Sequence, residues 1–128
     1  MTQFPEVRLY LERAHRALEI AESLLAQGYA GDAASKAYYA MFYAARACLK
    51  TEGVVVSEPP AVETAFGHYF ARRGRLDPRF HRALKMARDV REIADYSIEK
   101  EVLATTARQT IDDGRAFLAA VEGLLGPP

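Results

Sequence analysis

The stretch that most limits the fold of this chain is Ser35 to Ala47, SKAYYAMFYAARA. At ~100° per residue, Ala33, Ala37, Ala40, Met41, Ala44 and Cys48 fall on one side of a helix. Ala34, Tyr38, Phe42, Ala45 and Leu49 widen that side to more than half the circumference. The remaining stripe carries Asp32, Ser35, Lys36, Tyr39, Tyr43, Arg46 and Lys50. A helix apolar over so much of its surface has to sit at the centre of a fold. Its alanines let neighbouring helices come close, so the rest of the chain should wrap around it. The polar stripe is the first place to look for function.

The flanking sequence supplies helices to do the wrapping. Leu11, Ala14, Leu18, Ala21 and Leu25 recur at spacings of three and four, predicting a helix from about Phe4 to Gln27 that Gly28 ends. The short link that follows implies an antiparallel hairpin with the central helix. That helix should stop near Thr51, with Gly53 as punctuation and Val54 to Val56 sealing one end of the core. Ser57 is the expected cap of a short third helix over Pro59 to Arg73, which points Val62, Ala65, Phe66, Tyr69 and Phe70 inward. Asp77-Pro78 reads as an N-cap followed by proline at the first helical position. The fourth helix then places Phe80, Ala83, Leu84, Ala87, Val90, Ala94 and Ile98 on one stripe. A fifth is expected from about Lys100 to Leu125, with Leu103, Ala107, Ile111, Gly114, Leu118, Val121 and Leu125 facing in. The reading is all-α: an antiparallel up-and-down bundle of four long helices plus one short one, as a single domain over residues 1–128.

Composition narrows the function classes. Seventeen basic residues balance seventeen acidic ones, so bulk charge predicts neither nucleic-acid nor membrane binding, and a binding surface must be local. Arg72, Arg73, Arg75, Arg79, Arg82 and Lys85 form one such concentration, either a solvated turn or a phosphate-binding patch. The single cysteine, Cys48, excludes an internal disulfide, fits a cytoplasmic chain and reads as a small core residue. His15, His68 and His81 lack metal-ligand spacing, and no cofactor motif is present. Early charges at Glu6 and Arg8, and no apolar run near ~18 residues, argue against a signal peptide or a membrane span.

The fourth helix holds the one local inconsistency. Arg91 projects into the stripe of Phe80, Leu84, Ala87 and Ile98, with Asp95 one turn on. A guanidinium facing a core needs partners. Two readings stand: a structural Arg91–Asp95 pair, with or without a tyrosine of the central helix, or an arginine held at a groove to meet phosphate. Likewise, Tyr39, Tyr43 and Arg46 suit either base stacking with phosphate contact or a protein interface.

SKAYYAMFYAARA at 35–47 and REIADY at 91–96 resemble the HEPN domain family, and more narrowly its prokaryotic branch with an AYYAxFxAARAxL helix and an RxxxDY helix. Ser57 through Tyr96 follows the same order of elements. The resemblance implies an antiparallel helical bundle that dimerises, with a groove at the interface. It also implies a frequent pairing with a minimal nucleotidyltransferase, as toxin and antitoxin or as a substrate-binding pair. Members with RNase activity carry an arginine, four to six residues, then a histidine, and cleave RNA without metal. Here Arg91 matches the arginine, but Tyr96, preceded by Asp95, takes the place of the histidine. Two other stretches fit the short pattern, Arg8 to His15 and Arg75 to His81, the first in the wrong helix and the second across the Asp77-Pro78 cap. The leading expectation is therefore a non-catalytic module that binds nucleotide or RNA through Arg91, Tyr39, Tyr43, Arg46 and Lys36. It would work as a homodimer or higher homo-oligomer beside a nucleotidyltransferase. The alternatives are a divergent metal-independent endoribonuclease using Arg91 with Asp95 or Tyr96, and a purely structural dimerisation module.

Overall fold

The computed structural model describes residues 4–128, and its elements are helices throughout. They are α1 (Pro5–Ala26), α2 (Ala30–Thr51), α3 (Pro59–Phe66), α4 (Pro78–Tyr96) and α5 (Ala104–Leu125). Four are long and one is short, as the spacing of apolar residues requires. Gly28, at φ 89°, takes the left-handed conformation that ends α1 without a steric cost. Its tight turn leads directly into α2.

Pairs of side chains fix the helix directions. His15 meets Glu122, while Glu22 meets Arg108 and Arg115, so α1 and α5 run antiparallel. Ser35 meets Asp95 and Tyr39 meets Arg91, so α2 and α4 also run antiparallel. With the α1–α2 hairpin this gives an up-down-up-down bundle, and α3 crosses the end where α2 finishes and α4 begins.

The alanine-rich helix is the hub: α2 packs on α1, α3, α4 and α5. Ala33, Ala34, Ala37, Ala40, Ala44, Ala45 and Ala47 are fully buried, as are Met41 and Cys48 to within one per cent. The small side chains work with Gly114 of α5, where an added Cβ would lie 3.0 Å from Leu18 Cδ2 and 3.6 Å from the Ala37 carbonyl oxygen. Tyr38, Phe66, Phe70 and Phe117 are the largest fully buried side chains. Each large apolar side chain so buried contributes ~1.5–3 kcal/mol.

Several sequence expectations need correction. The third helix does not continue as one α-helix to Arg73. Beyond Phe66 it widens into a π-helical turn over Gly67–Ala71, closed by the bond from Arg72 N–H to the Gly67 carbonyl at 2.9 Å. Ser57 does not cap α3; Glu58 occupies the N-cap and no side chain bonds there, although Pro59 and Pro60 do form its first turn. Asp77 behaves as predicted, its Oδ1 accepting from Arg79 N–H at 2.9 Å. Ile98 does not extend the inward stripe of α4. The helix stops at Tyr96, Ser97 turns to an extended backbone, and Ile98 is 99% exposed. Leu103 likewise faces solvent, because α5 starts at Ala104 and not near Lys100. Of the three valines after Gly53, Val54 and Val56 pack on the core but Val55 is exposed.

Candidate functional site

Phe80, Leu84, Ala87 and Arg91 are the buried residues of α4, and their spacings of four, three and four define a single inward stripe. Arg91 is thus placed in the interior by helical periodicity, opposite Tyr39 of α2. Its side chain is only 10% exposed. Nη1 donates to the Tyr39 hydroxyl at 3.1 Å, and Nη2 reaches Glu92 Oε1 at 3.4 Å. Asp95 Oδ2 stands 3.8 Å from Nη1 and accepts instead from Ser35 Oγ at 3.3 Å. The Asp95 pairing is therefore a loose ion pair, too long for a hydrogen bond, and with Glu92 it sets two carboxylates against the one guanidinium.

Aromatic rings enclose the cation. Its Cζ lies 5.2 Å from the Tyr38 ring centre, 5.7 Å from Tyr39 and 5.8 Å from Tyr96, within the range of cation–π attraction. Burial works against the charged form of Arg91, but the Tyr39 oxygen, Tyr38 and Glu92 more than offset this and hold its pKa above that of an ordinary arginine. The same burial pushes the Tyr38 phenol up to about 12 despite the attraction of Arg91. Both Arg91 and Tyr38 keep their ordinary neutral-pH forms, a fixed cation beside a neutral phenol.

The guanidinium is nonetheless under-satisfied. Of its five N–H donors, one makes a well-formed bond, and the buried Nε has no partner among the described residues. The Tyr39 hydroxyl accepts from Arg91 and has no recorded acceptor for its own proton among those residues. The remaining guanidinium N–H groups and the Tyr39 hydroxyl proton are the donors this group offers an oxyanion, beside the carboxylates of Glu92 and Asp95. No proton-transfer base with a histidine's neutral-pH character is in this group.

The other predicted residues are placed unevenly. Tyr43 continues the row, its ring 6.3 Å from Tyr39. Arg46, two turns from Tyr39, turns toward α1 and stacks on Tyr10 at 4.8 Å and Phe42 at 5.7 Å, away from Arg91. Lys36 is exposed and shares a shallow groove of ≈ 230 Å³ with Arg13, Arg16 and Tyr43. Arg91 and Tyr39 are thus joined directly, Tyr43 lies alongside, and Arg46 and Lys36 border a neighbouring surface. Tyr96 is 68% exposed, with its ring against Arg91.

Neither of the other arginine-to-histidine spacings forms a site. Arg8 pairs with Glu12 and His15 with Glu122. Arg75 binds Glu52 at 2.8 Å, whereas His81 lies on Gly67 and bonds the Glu63 carbonyl at 3.1 Å. Among the described residues no three of His, Cys, Asp and Glu gather as a metal-binding group, and no helix is long and apolar enough to cross a membrane.

One buried pair escaped the sequence reading. Glu63 of α3 is 8% exposed and lies 2.7 Å from Arg88 Nε of α4. Glu63, Phe66 and Phe70 share the three-four spacing of an inward stripe, so an acid there was a signal of a buried partner.

Comparison with known proteins places these features in a family. The HEPN domain model matches residues 7–124. The chain is 28% identical over 113 residues to a protein of Methanocaldococcus jannaschii named "Putative toxin MJ0142", covering 88% of this chain and 77% of that one. It is 34% identical over 92 residues to "UPF0332 protein glr0978" of Gloeobacter violaceus, covering 72% and 73%. A second M. jannaschii protein, "Putative toxin MJ0605", is 30% identical over 95 residues, covering 74% and 71%.

Proposed function

The chain belongs to the HEPN domain family, and from that membership we propose that it is a nucleotide- or RNA-binding module of a toxin–antitoxin-like pair. In this reading it works as a homodimer or higher homo-oligomer beside a minimal nucleotidyltransferase, as the toxin-like or substrate-binding subunit. The names of two relatives from M. jannaschii support the toxin-like assignment.

The observation that carries the binding role is the under-satisfied Arg91 guanidinium beside the free Tyr39 hydroxyl donor. Buried donors without partners are few in native proteins; Nε is sealed from solvent, so a phosphate oxygen supplies the missing acceptor once the side chains over Arg91 move aside. Arg91 gives the charge, Tyr39 the second donor, and Tyr43 a ring for a base to stack on. Arg46 and Lys36 add charge along the adjoining surface. Tyr96 stands where RNase members of the family carry histidine, so the group holds a phosphate without a histidine to move a proton. The role is binding rather than cleavage.

Fluorescence anisotropy with labelled single-stranded RNA and with a ribonucleoside triphosphate, at low salt, tests this reading. The protein, alone or with its nucleotidyltransferase, should bind at least one of them, and Arg91→Ala should weaken binding while circular dichroism still reports a folded bundle. Binding of neither ligand in either form refutes it. RNA cleavage in EDTA that Arg91→Lys abolishes would instead establish the endoribonuclease reading.

A further inference from the structure

The charge of this neutral protein is unevenly spread. Between Thr64 and Arg88 the chain carries Arg72, Arg73, Arg75, Arg79, Arg82, Lys85 and Arg88 but a single acid, Asp77. The structure shows which of these cations are already engaged. Arg73 and Arg75 share Glu52, and Arg88 pairs with buried Glu63. Asp77 is occupied in capping α4. Arg72, Arg79, Arg82 and Lys85 have no carboxylate partner among the described residues.

These four cations flank two grooves, one on each side of the first half of α4. Arg72 and Lys85 border a cavity of ≈ 530 Å³ between the π-helical turn and α4, which His68 and His81 also line. Arg79 and Arg82 border one of ≈ 270 Å³ between α4 and α5. The division follows from helical geometry: His81 and Lys85 are four apart on one face, while Arg79, Arg82 and Met86 are three and seven apart on the next. Each groove also holds one acid: Glu63, paired with Arg88, in the first, and Asp113, whose Oδ1 accepts from Gln109 at 2.8 Å, in the second. Rings line the grooves, His68 and His81 in the first and Phe80 in the second, where Arg79 lies over Phe80 at 4.7 Å.

We propose that this face, centred on Arg72, Arg79, Arg82 and Lys85, is a second nucleic-acid site that tracks the phosphodiester backbone of a single strand. Separate grooves on either side of a helix cannot close on one phosphate, so a mononucleotide does not use all four cations, whereas a polynucleotide crossing α4 does. Cations interleaved with aromatic rings are the arrangement that holds unpaired strands. This site lies in the half of α4 away from Arg91 and does not depend on the Arg91 reading.

The test compares wild type, the fourfold variant Arg72→Gln/Arg79→Gln/Arg82→Gln/Lys85→Gln, and Arg91→Ala, measuring the affinity of single-stranded RNA and DNA 20-mers against salt. Each lost phosphate contact lowers the slope of log K against log salt by about 0.7 on a single strand, so the fourfold variant should lose about 2.8 from the slope. At 0.1 M salt that corresponds to a loss on the order of 100-fold or more. Equal losses for RNA and DNA identify the shared backbone as the ligand, and a loss confined to RNA identifies RNA as the strand bound. Binding of ATP should be unaffected by the fourfold variant. An unchanged slope and affinity for both strands, in a variant with wild-type thermal unfolding, overturns the proposal and leaves an acidic protein surface as the occupant. Because Arg91→Ala is measured in the same series, loss of one site is read separately from loss of the other.

Discussion

Tyr39→Phe isolates the most consequential bond in the molecule. The substitution removes one oxygen and leaves the ring, so the packing of Tyr39 on Tyr38, Phe42 and Tyr43 survives. What is lost is the acceptor 3.1 Å from Arg91 Nη1, on a guanidinium that is one-tenth exposed. Its other oxygens do not replace that bond without movement: Glu92 already accepts from Nη2 at 3.4 Å, and Asp95 stands 3.8 Å from Nη1. A hydrogen bond to a buried charged group is worth about 1.5–3 kcal/mol. In a domain of this size ~1 kcal/mol corresponds to roughly 3–5 °C, so the midpoint should fall by about 5–15 °C. Thermal unfolding followed by circular dichroism measures the shift, and urea titration with an unchanged m value shows that the folded state is intact. Arg91→Met completes the cycle. In that background Tyr39→Phe should cost about 0.5 kcal/mol or less, leaving a coupling of about 1–3 kcal/mol. Additive effects, or a Tyr39→Phe shift below about 1 °C, would refute the claim that the phenol supports a buried cation.

Three further outcomes follow from the same coordinates. Gly67→Ala should destabilise by about 1–3 kcal/mol in urea unfolding, because its Cβ would lie 2.5 Å from His81 Cε1 and displace the ring from the Glu63 carbonyl. Hydrogen bonds from Arg108 and Arg115 hold the Glu22 carboxyl at about 2, below its ordinary 4.5. A depressed folded pKa adds stability above the unfolded value, so that contribution should fade as pH drops from about 4.5 toward 2, and Glu22→Gln should flatten the decline in midpoint across this window. Burial pushes the Cys48 thiol up to about 12, so a thiol reagent at pH 8 should label it only after denaturant unfolds the chain.

Much of this architecture is written in local patterns. Helix periodicity is a short-range property, so the apolar stripes of α1, α2, α4 and α5 are legible, as is the Asp77 cap, whose partner is two residues away. Arg91 was visible as a cation in an apolar stripe, and its link to α2 could be anticipated because so large a burial cost demands a partner. Features set by the register between helices were hidden. The Glu63–Arg88 pair and the packing of His81 on Gly67 require knowing how α3 meets α4, and nothing in either segment alone supplies that. Arg46 shows the same limit: its stripe suggested the Arg91 group, but Tyr10 of α1 offered a nearer ring. Ile98 misled for a different reason, since an apolar pattern continues formally past Tyr96 while Ser97 turns the backbone out of the helix.

The proposed role of Arg91 is to receive an external oxyanion with a buried donor that has no partner among the described residues. Nitrogen-15 side-chain NMR reports it directly, through the Nε–H resonance assigned by its absence in Arg91→Met. That resonance should exchange slowly with water in the free protein and move as single-stranded RNA or ribonucleoside triphosphate is added, in step with the binding isotherm. An Arg91 Nε–H signal that stays fixed at saturating ligand, while backbone signals elsewhere shift, would contradict the claim.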